Sequence, residues 1–188
     1  MTPATILWRR LDIPGHETLR LDRDPAAFAA PIRLRGAAVF AADAGRPVLL
    51  RYALACTDAW QTRSLTLAGW IDDREISLSI LAPGDGRWLL DGVEQPAVAG
   101  CIDLDLAFSA ATNMLSIRRL NLPVGRSAGV TSAWLTFPEF RLQPLPQTYG
   151  RRDESHYAYQ APTLGFSTVL TVSADGIVTD YPPLWTAE

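Results

Sequence analysis

The chain is dominated by short runs in which apolar and polar residues alternate. The alternation is clearest in residues 47–56, 74–81 and 101–108, where apolar side chains occupy every second position. Successive side chains of a β-strand point to opposite faces, so this period indicates strands with one buried face. Turn-forming Gly, Pro and Asp residues separate the runs at short intervals. The pattern predicts roughly ten to twelve antiparallel strands and an all-β fold.

Two segments do not fit this alternation. Residues 22–31 hold Asp24 and Pro25 where a helix could begin and Pro31 where it would end, so they are the one weak helix candidate. Residues 143–154, with the sequence QPLPQTYGRRDE, are predicted to form the longest irregular connection.

The number of strands limits the architecture. A sheet this wide must manage its edges, so it either rolls up towards a barrel or folds into a sandwich. At 188 residues the chain has room for one substantial domain, and we expect residues 1–188 to form it. A barrel of this width leaves interior space for a ligand.

Residues 101–122, CIDLDLAFSAATNMLSIRRLNL, hold the most informative charges. Their pattern predicts a hairpin whose second strand covers residues 114–122. In one register Asp103 faces Arg119, and a one-residue bulge would instead bring Asp105 to Arg118. In either register the other arginine stands in an apolar row.

An unmatched arginine in an apolar row needs a partner, because a lone desolvated charge costs several kcal/mol. The partner could be a buried carboxylate such as Asp58 or Asp12. It could also be an anionic or hydroxyl-rich head group of a ligand. A third alternative is that the arginine lies on a solvated face.

Asp103 and Asp105 also suggest a catalytic alternative. Two residues apart on one strand face, they would lie ~7 Å from each other, which suits a general acid and base acting on a sugar or phosphate-containing substrate. The same pair lacks a neighbouring histidine, so a metal site is not predicted, and no cofactor is expected.

Composition excludes several classes of function. The formal net charge is -3 and all 17 basic residues are arginine, so neither nucleic-acid binding nor lysine chemistry is predicted. Two cysteines are too few for a disulfide scaffold. No apolar run has the length of a signal peptide or a membrane span, so the sequence predicts a cytoplasmic protein that does not span the membrane.

The motifs themselves resemble a known family. WRRLDIPGHE, LRYALACTDAWQTR, GRWLLDG, the 101–122 block, AWLTFPEFRLQPLPQTY and ADGIVTDYP occur in the order typical of the glycolipid-binding family, a bacterial domain of formerly unknown function. The resemblance implies an open or half barrel, similar to lipoprotein carriers, that encloses an apolar cleft. Position by position, it points to Asp58, Trp60, Asp103, Asp105, Thr112, Asn113, Arg118, Arg119 and Gln147.

Together these observations predict non-catalytic binding of a lipid or glycolipid. The cleft would take the apolar part of the ligand through aromatic side chains such as Trp134, one of six tryptophans. Arg118 or Arg119, with Asn113 and Trp60, would hold the polar end. The alternatives are an enzyme that uses Asp103 and Asp105, and a filled β-sandwich that serves as an interaction module. The oligomeric state is left open.

Overall fold

The computed structural model describes residues 3–188, and strands make up most of its regular structure. In the first half of the chain these are β1 (Ala4–Arg10), β2 (Gly15–Arg23), β3 (Ile32–Ala41), β4 (Pro47–Cys56), β5 (Thr62–Ile71), β6 (Arg74–Leu81), β7 (Leu89–Leu90) and β8 (Val93–Glu94). In the second half they are β9 (Leu104–Leu106), β10 (Ser127–Leu135), β11 (Leu142–Arg151), β12 (His156–Ala161), β13 (Phe166–Val172), β14 (Val178–Tyr181) and β15 (Trp185–Ala187).

All fifteen strands belong to one curled sheet that does not close. Its order is β8-β7-β6-β5-β4-β3-β2-β1-β15-β14-β13-β12-β11-β10-β9, so the first and last strands of the chain pair at its centre. Every pairing is antiparallel except that of β9 with β10. The all-β class and the open half barrel are confirmed. The strand number exceeds ten to twelve because β7, β8, β9 and β15 each contain only two or three residues.

The predicted strand over residues 114–122 is wrong, because this segment forms the α-helix α1 (Asn113–Leu120). Five consecutive residues, Asn113–Ile117, are buried, so the helix is enclosed rather than lying with one face in solvent. It ends at Asn121, which adopts a left-handed conformation and donates its backbone N–H to the carbonyl of Ile117. Arg118 and Arg119 lie in the last turn, where the helix dipole favours positive charge.

The two segments outside the alternation also differ from expectation. Residues 143–154 are mostly strand β11, not an irregular connection. Pro144 and Pro146 are tolerated because β12 pairs with β11 only from Thr148 onward, so neither proline interrupts a ladder on that side. Residues 22–31 complete β2 and then form two turns without a helix.

Large apolar side chains fill the inner face of the sheet. Trp8, Trp88, Phe108 and Tyr149 are almost completely buried there, together with the inward aliphatic residues of the long strands. The same core includes residues of α1, which therefore occupies much of the space inside the curl. No helix in residues 3–188 has the length and apolar character of a membrane span.

One carboxyl group lies inside this core. Glu17 occupies the same inward row of β2 as Leu19 and is 1% exposed. Its Oε1 accepts hydrogen bonds from the hydroxyls of Tyr52, at 2.6 Å, and Ser109, at 2.5 Å. A Cβ at Gly36 would lie 2.3 Å from the Tyr52 ring, so the glycine makes room for this contact. Glu17 thereby links the long hairpins to the segment that precedes α1.

Burial raises the pKa of Glu17 to about 7, although the hydrogen bonds from Ser109 and Tyr52 favour the ionised form. Ionisation is therefore penalised in the folded state. The stability associated with the neutral carboxyl is full below its ordinary pKa of 4.5 and is lost as the pH rises through about 7.

Replacing Glu17 by glutamine should remove this pH dependence. Between acid and mildly alkaline pH the wild-type protein should lose about 3 kcal/mol more unfolding free energy than Glu17→Gln, because only the carboxyl ionises. Denaturant unfolding at both pH values measures the difference. Equal losses in the two proteins would show that Glu17 is not the group responsible.

Candidate functional site

Two cavities open at opposite ends of the unit formed by β9 and α1. One, the polar cleft, has a volume of about 790 Å³ and includes Asp58, Trp60, Ile102, Arg118, Arg151 and Tyr157. The other, the aromatic pocket, has a volume of about 170 Å³ and includes Asp105, Asn113, Trp134, Tyr159, Tyr181 and Trp185. Residues 113–121 run from the aromatic pocket to the polar cleft, a length of about 12 Å along the helix.

Trp60 forms part of the wall of the polar cleft from a tight turn between β4 and β5. The backbone N–H of Trp60 donates to the carbonyl of Thr57, and that of Thr57 donates to Gln61. Trp60 itself has φ 63°, a left-handed conformation that is unfavourable for a bulky residue. Such strain is retained where the surroundings hold the residue in place, and it commonly marks functional positions.

Arg118 lies over the indole of Trp60, with its guanidinium carbon 5.0 Å from the ring centroid. The stem of the side chain packs against Gly176, where an added Cβ would lie 2.5 Å from the Arg118 Cδ. Within residues 3–188 no carboxylate forms an ion pair with Arg118. The cation–π contact leaves its N–H groups free to donate into the cleft.

Arg119 is bound in a different way. Its Nε and Nη2 donate to the two oxygens of Asp103 at 2.8 and 2.6 Å, which is the bidentate geometry of a strong ion pair. The hydroxyl of Ser116 donates to the same carboxylate at 2.6 Å. Both oxygens of Asp103 therefore accept hydrogen bonds from within the protein, and the residue is only 2% exposed.

The remaining charges of the polar cleft lie nearer its rim. Asp58 is exposed and forms an ion pair with Arg23. Arg151 lies above the ring of Tyr157, at 5.7 Å, and donates from Nη1 to the carbonyl of Leu122. Three arginines and two carboxylates line the cleft in all. Asp103 neutralises Arg119 and Asp58 pairs with Arg23, so two arginines, Arg118 and Arg151, remain against one carboxylate, Glu154. The cleft therefore keeps a net positive charge and favours an anionic group.

The aromatic pocket is built from contacting rings. The centroids of Tyr159 and Tyr181 are 5.8 Å apart, those of Tyr159 and Phe166 are 6.2 Å apart, and those of Tyr181 and Trp185 are 5.5 Å apart. Each pair is tilted or edge-to-face, the arrangement that aromatic rings prefer. Such a surface suits an apolar group or the apolar face of a ring.

Asp105 is the ionisable group of the aromatic pocket. Its Oδ2 accepts a hydrogen bond of 2.6 Å from Gln147, whose Nε2 also lies 2.9 Å from the Tyr159 hydroxyl. Gln147 is held in turn by the hydroxyl of Ser132. Burial raises the pKa of Asp105 to about 6, against the effect of the Gln147 hydrogen bond. In residues 3–188 no donor reaches its other oxygen.

The structure separates the predicted site residues into three groups. Asp58, Trp60, Arg118 and Arg119 lie in the polar cleft. Asp105, Asn113 and Trp134 lie in the aromatic pocket, so Asn113 is not beside the arginines. Asp103 and Gln147 stand behind the cavity walls and support Arg119 and Asp105.

Asp103 and Asp105 do not share a cavity. Asp103 is engaged by Arg119 and Ser116, whereas Asp105 faces the aromatic pocket. A general acid and base must act on the same bond from either side, which this arrangement does not support. Within residues 3–188 no three His, Cys, Asp or Glu side chains come together as metal ligands would.

Sequence reasoning did not identify Arg151, Tyr157 or Glu17. The first two belong to segments whose position relative to α1 depends on the curl of the sheet. Glu17, by contrast, could have been found, because it alternates in register with Leu19 and Leu21 in a strand. A carboxyl in an apolar strand row is the signal that predicts a buried polar partner.

Breaking the ion pair behind the polar cleft should destabilise the protein. Asp103→Asn leaves Arg119 without its counter-ion and should cost about 3 kcal/mol of unfolding free energy. Asp58→Asn is the matched control, since Asp58 and Arg23 are both exposed and should contribute less than about 1 kcal/mol. Denaturant unfolding measures both, and equal small losses would contradict a supporting role for Asp103.

A family model and a solved structure each match most of the chain. Residues 5–187 match the model of a protein family described as "Putative glycolipid-binding". The chain is also similar to the crystal structure of a DUF1089 family protein from Pseudomonas aeruginosa. That similarity has a TM-score of 0.81 and 32% sequence identity, and it covers 90% of each chain. No curated protein matches the chain.

Proposed function

The chain belongs to this glycolipid-binding family, and from that membership we propose that it binds an amphiphilic lipid or glycolipid without chemical conversion. The polar end of the ligand occupies the polar cleft, where Arg118 and Trp60 contact it. The aromatic pocket shares no lining residue with the polar cleft, so an apolar group binds there, beside Trp134 and Asp105, at a separate subsite.

The observation that carries the proposal is the unpaired state of Arg118. Of the two adjacent arginines, Arg119 is neutralised by Asp103, whereas no carboxylate of the described residues pairs with Arg118. Arg118 is exposed, which agrees with the third alternative for the unmatched arginine, a solvated face. Its contacts with Trp60 and Gly176 nevertheless hold the guanidinium at the cleft. A preorganised guanidinium with free donors is suited to a phosphate, a carboxylate or vicinal hydroxyls.

The size and lining of the two cavities support different roles. At about 790 Å³ the polar cleft is within the range of 300 to 1,000 Å³ that is typical of small-molecule sites. The aromatic pocket, at about 170 Å³, is below that range and can enclose only part of an acyl chain. The ligand therefore binds mainly through its head group and the atoms next to it.

A thermal-shift experiment with short-chain amphiphiles tests the proposal. Dihexanoylphosphatidylglycerol supplies an anionic head, and octyl glucoside supplies an uncharged sugar. A ligand that binds only the folded protein raises Tm with concentration, so we expect both compounds to do so. Absence of any shift with either compound, at concentrations below micelle formation, would overturn the proposal.

Arg118→Gln should selectively weaken binding of the anionic compound. Loss of a charge-assisted contact should reduce the affinity for dihexanoylphosphatidylglycerol about tenfold and affect octyl glucoside much less. Titration calorimetry measures both affinities. Arg51→Gln is the control, because Arg51 is exposed on the outer face of β4. Equal effects of the two substitutions would exclude Arg118 as the head-group contact.

Binding of octyl glucoside should strengthen as the pH falls from alkaline values to about 6, and should change little below that. An apolar group in the aromatic pocket removes water from Asp105, which penalises the carboxylate and raises its pKa further. Each additional pKa unit corresponds to a tenfold change in affinity between high and low pH. Asp105→Asn keeps an oxygen that can accept from Gln147 and should abolish the dependence.

Glu17→Gln serves as the control for this pH profile, because Glu17 titrates in a similar range and contacts Ser109, which lines the aromatic pocket. The profile should persist in Glu17→Gln. If it disappears there and remains in Asp105→Asn, Asp105 is not the group that senses the ligand.

A further inference from the structure

Three exposed apolar side chains lie at the end of the molecule that holds the polar cleft. Phe28 is 93% exposed, Val124 is 54% exposed, and Ile102, which also lines the cleft, is 40% exposed. A fully exposed phenylalanine is unfavourable for a protein surface in water, because it leaves its entire ring hydrated. Phe28 is the most exposed of the nine large apolar side chains that are exposed in residues 3–188.

Phe28 is placed at the rim by the sheet topology. It lies in the loop between β2 and β3, which the hydrogen bond from the Asp24 N–H to the Pro31 carbonyl closes into a compact projection. The turn between β4 and β5, which carries Trp60, lies at the same end of these neighbouring strands. The ion pair between Arg23 and Asp58 joins the two loops directly.

Val124 approaches the rim from the other half of the chain. It lies three residues beyond Asn121, which lines the polar cleft. The next residue, Gly125, donates its N–H to the carbonyl of Arg151, so this loop is held against an arginine of the cleft. Loops from both halves of the chain therefore bring apolar side chains to the end of the molecule that holds the polar cleft, with its three arginines and two carboxylates.

We propose that this rim is a membrane-contact surface, with Phe28 and Val124 inserting among anionic lipid head groups. The inference rests on the proposed function and deepens it, because the polar cleft then opens onto the head groups of the bilayer. Aromatic and aliphatic anchors lie at the boundary of the acyl chains, and arginines at the level of the phosphates interact with them.

The arrangement favours a bilayer over a protein partner. Protein interfaces bury a contiguous apolar centre surrounded by a polar rim. Here the charged residues of the cleft lie between separate exposed apolar residues, so no contiguous apolar centre is present at this end of the described residues. A fluid surface accommodates separate anchors, whereas a protein partner would have to desolvate the arginines between them.

Co-sedimentation with vesicles tests the proposal. The full chain should bind vesicles of equimolar phosphatidylcholine and phosphatidylglycerol, and bind those of phosphatidylcholine alone more weakly. Phe28→Ser should reduce the partition coefficient about tenfold, and Val124→Ser severalfold, because each removes apolar surface from the bilayer. Val39→Ser is the matched control, since Val39 is also 54% exposed but lies towards the far end of β3.

The outcomes separate this proposal from the proposed function. If vesicle binding is unchanged in Phe28→Ser, or falls equally in Val39→Ser, the membrane-contact surface is wrong even where dihexanoylphosphatidylglycerol still raises Tm. If the short-chain compounds fail to bind but vesicle binding depends on Phe28, the contact surface stands and the cleft does not hold the head group. Retained Tm in each variant confirms that the substitutions leave the fold intact.

Discussion

The buried ion pair between Asp103 and Arg119 fixes the parts of the molecule on which ligand binding would depend. It joins the start of β9 to the last turn of α1, and Ser116 adds a third contact to the carboxylate. Without it, the almost completely buried carboxylate of Asp103 would be left without a counter-ion. Because the pair anchors α1 inside the open sheet, it also determines where the neighbouring Arg118 points.

The pairing of Asp103 with Arg119 is one of the two alternatives that the sequence left open, although the hairpin from which it was argued does not form. Whether residues 114–122 form a strand or a helix, Arg119 becomes partly buried, and a partly buried arginine is stabilised by a carboxylate. Met114, Leu115, Ile117 and Leu120 do have a helical spacing, but the helix was missed because eight residues are too few for that period to stand out beside a strand pattern. In the long hairpins the period of two was unambiguous, so the fold class followed from it.

The rest of the candidate site depends on long-range geometry. Trp60 and Arg118 come together only because the open sheet curls until its two halves meet across α1. Neither the left-handed conformation of Trp60 nor its contact with the guanidinium has a local sequence signal. Asp103 lies behind the wall of the polar cleft because it binds Arg119, whereas Asp105 binds Gln147 and faces the aromatic pocket. The spacing of the two aspartates in the sequence does not reveal this difference.

The direction of α1 explains why the two cavities differ in character. Its carboxyl end carries partial negative charge, which favours Arg118 and Arg119 and keeps cations at the polar cleft. Its amino end, at Asn113, carries partial positive charge, which should favour an ionised Asp105 in the aromatic pocket. Burial nevertheless raises the pKa of Asp105, so desolvation outweighs the dipole there. A single short helix thus separates a charged, hydrated end from an aromatic end where charge is disfavoured.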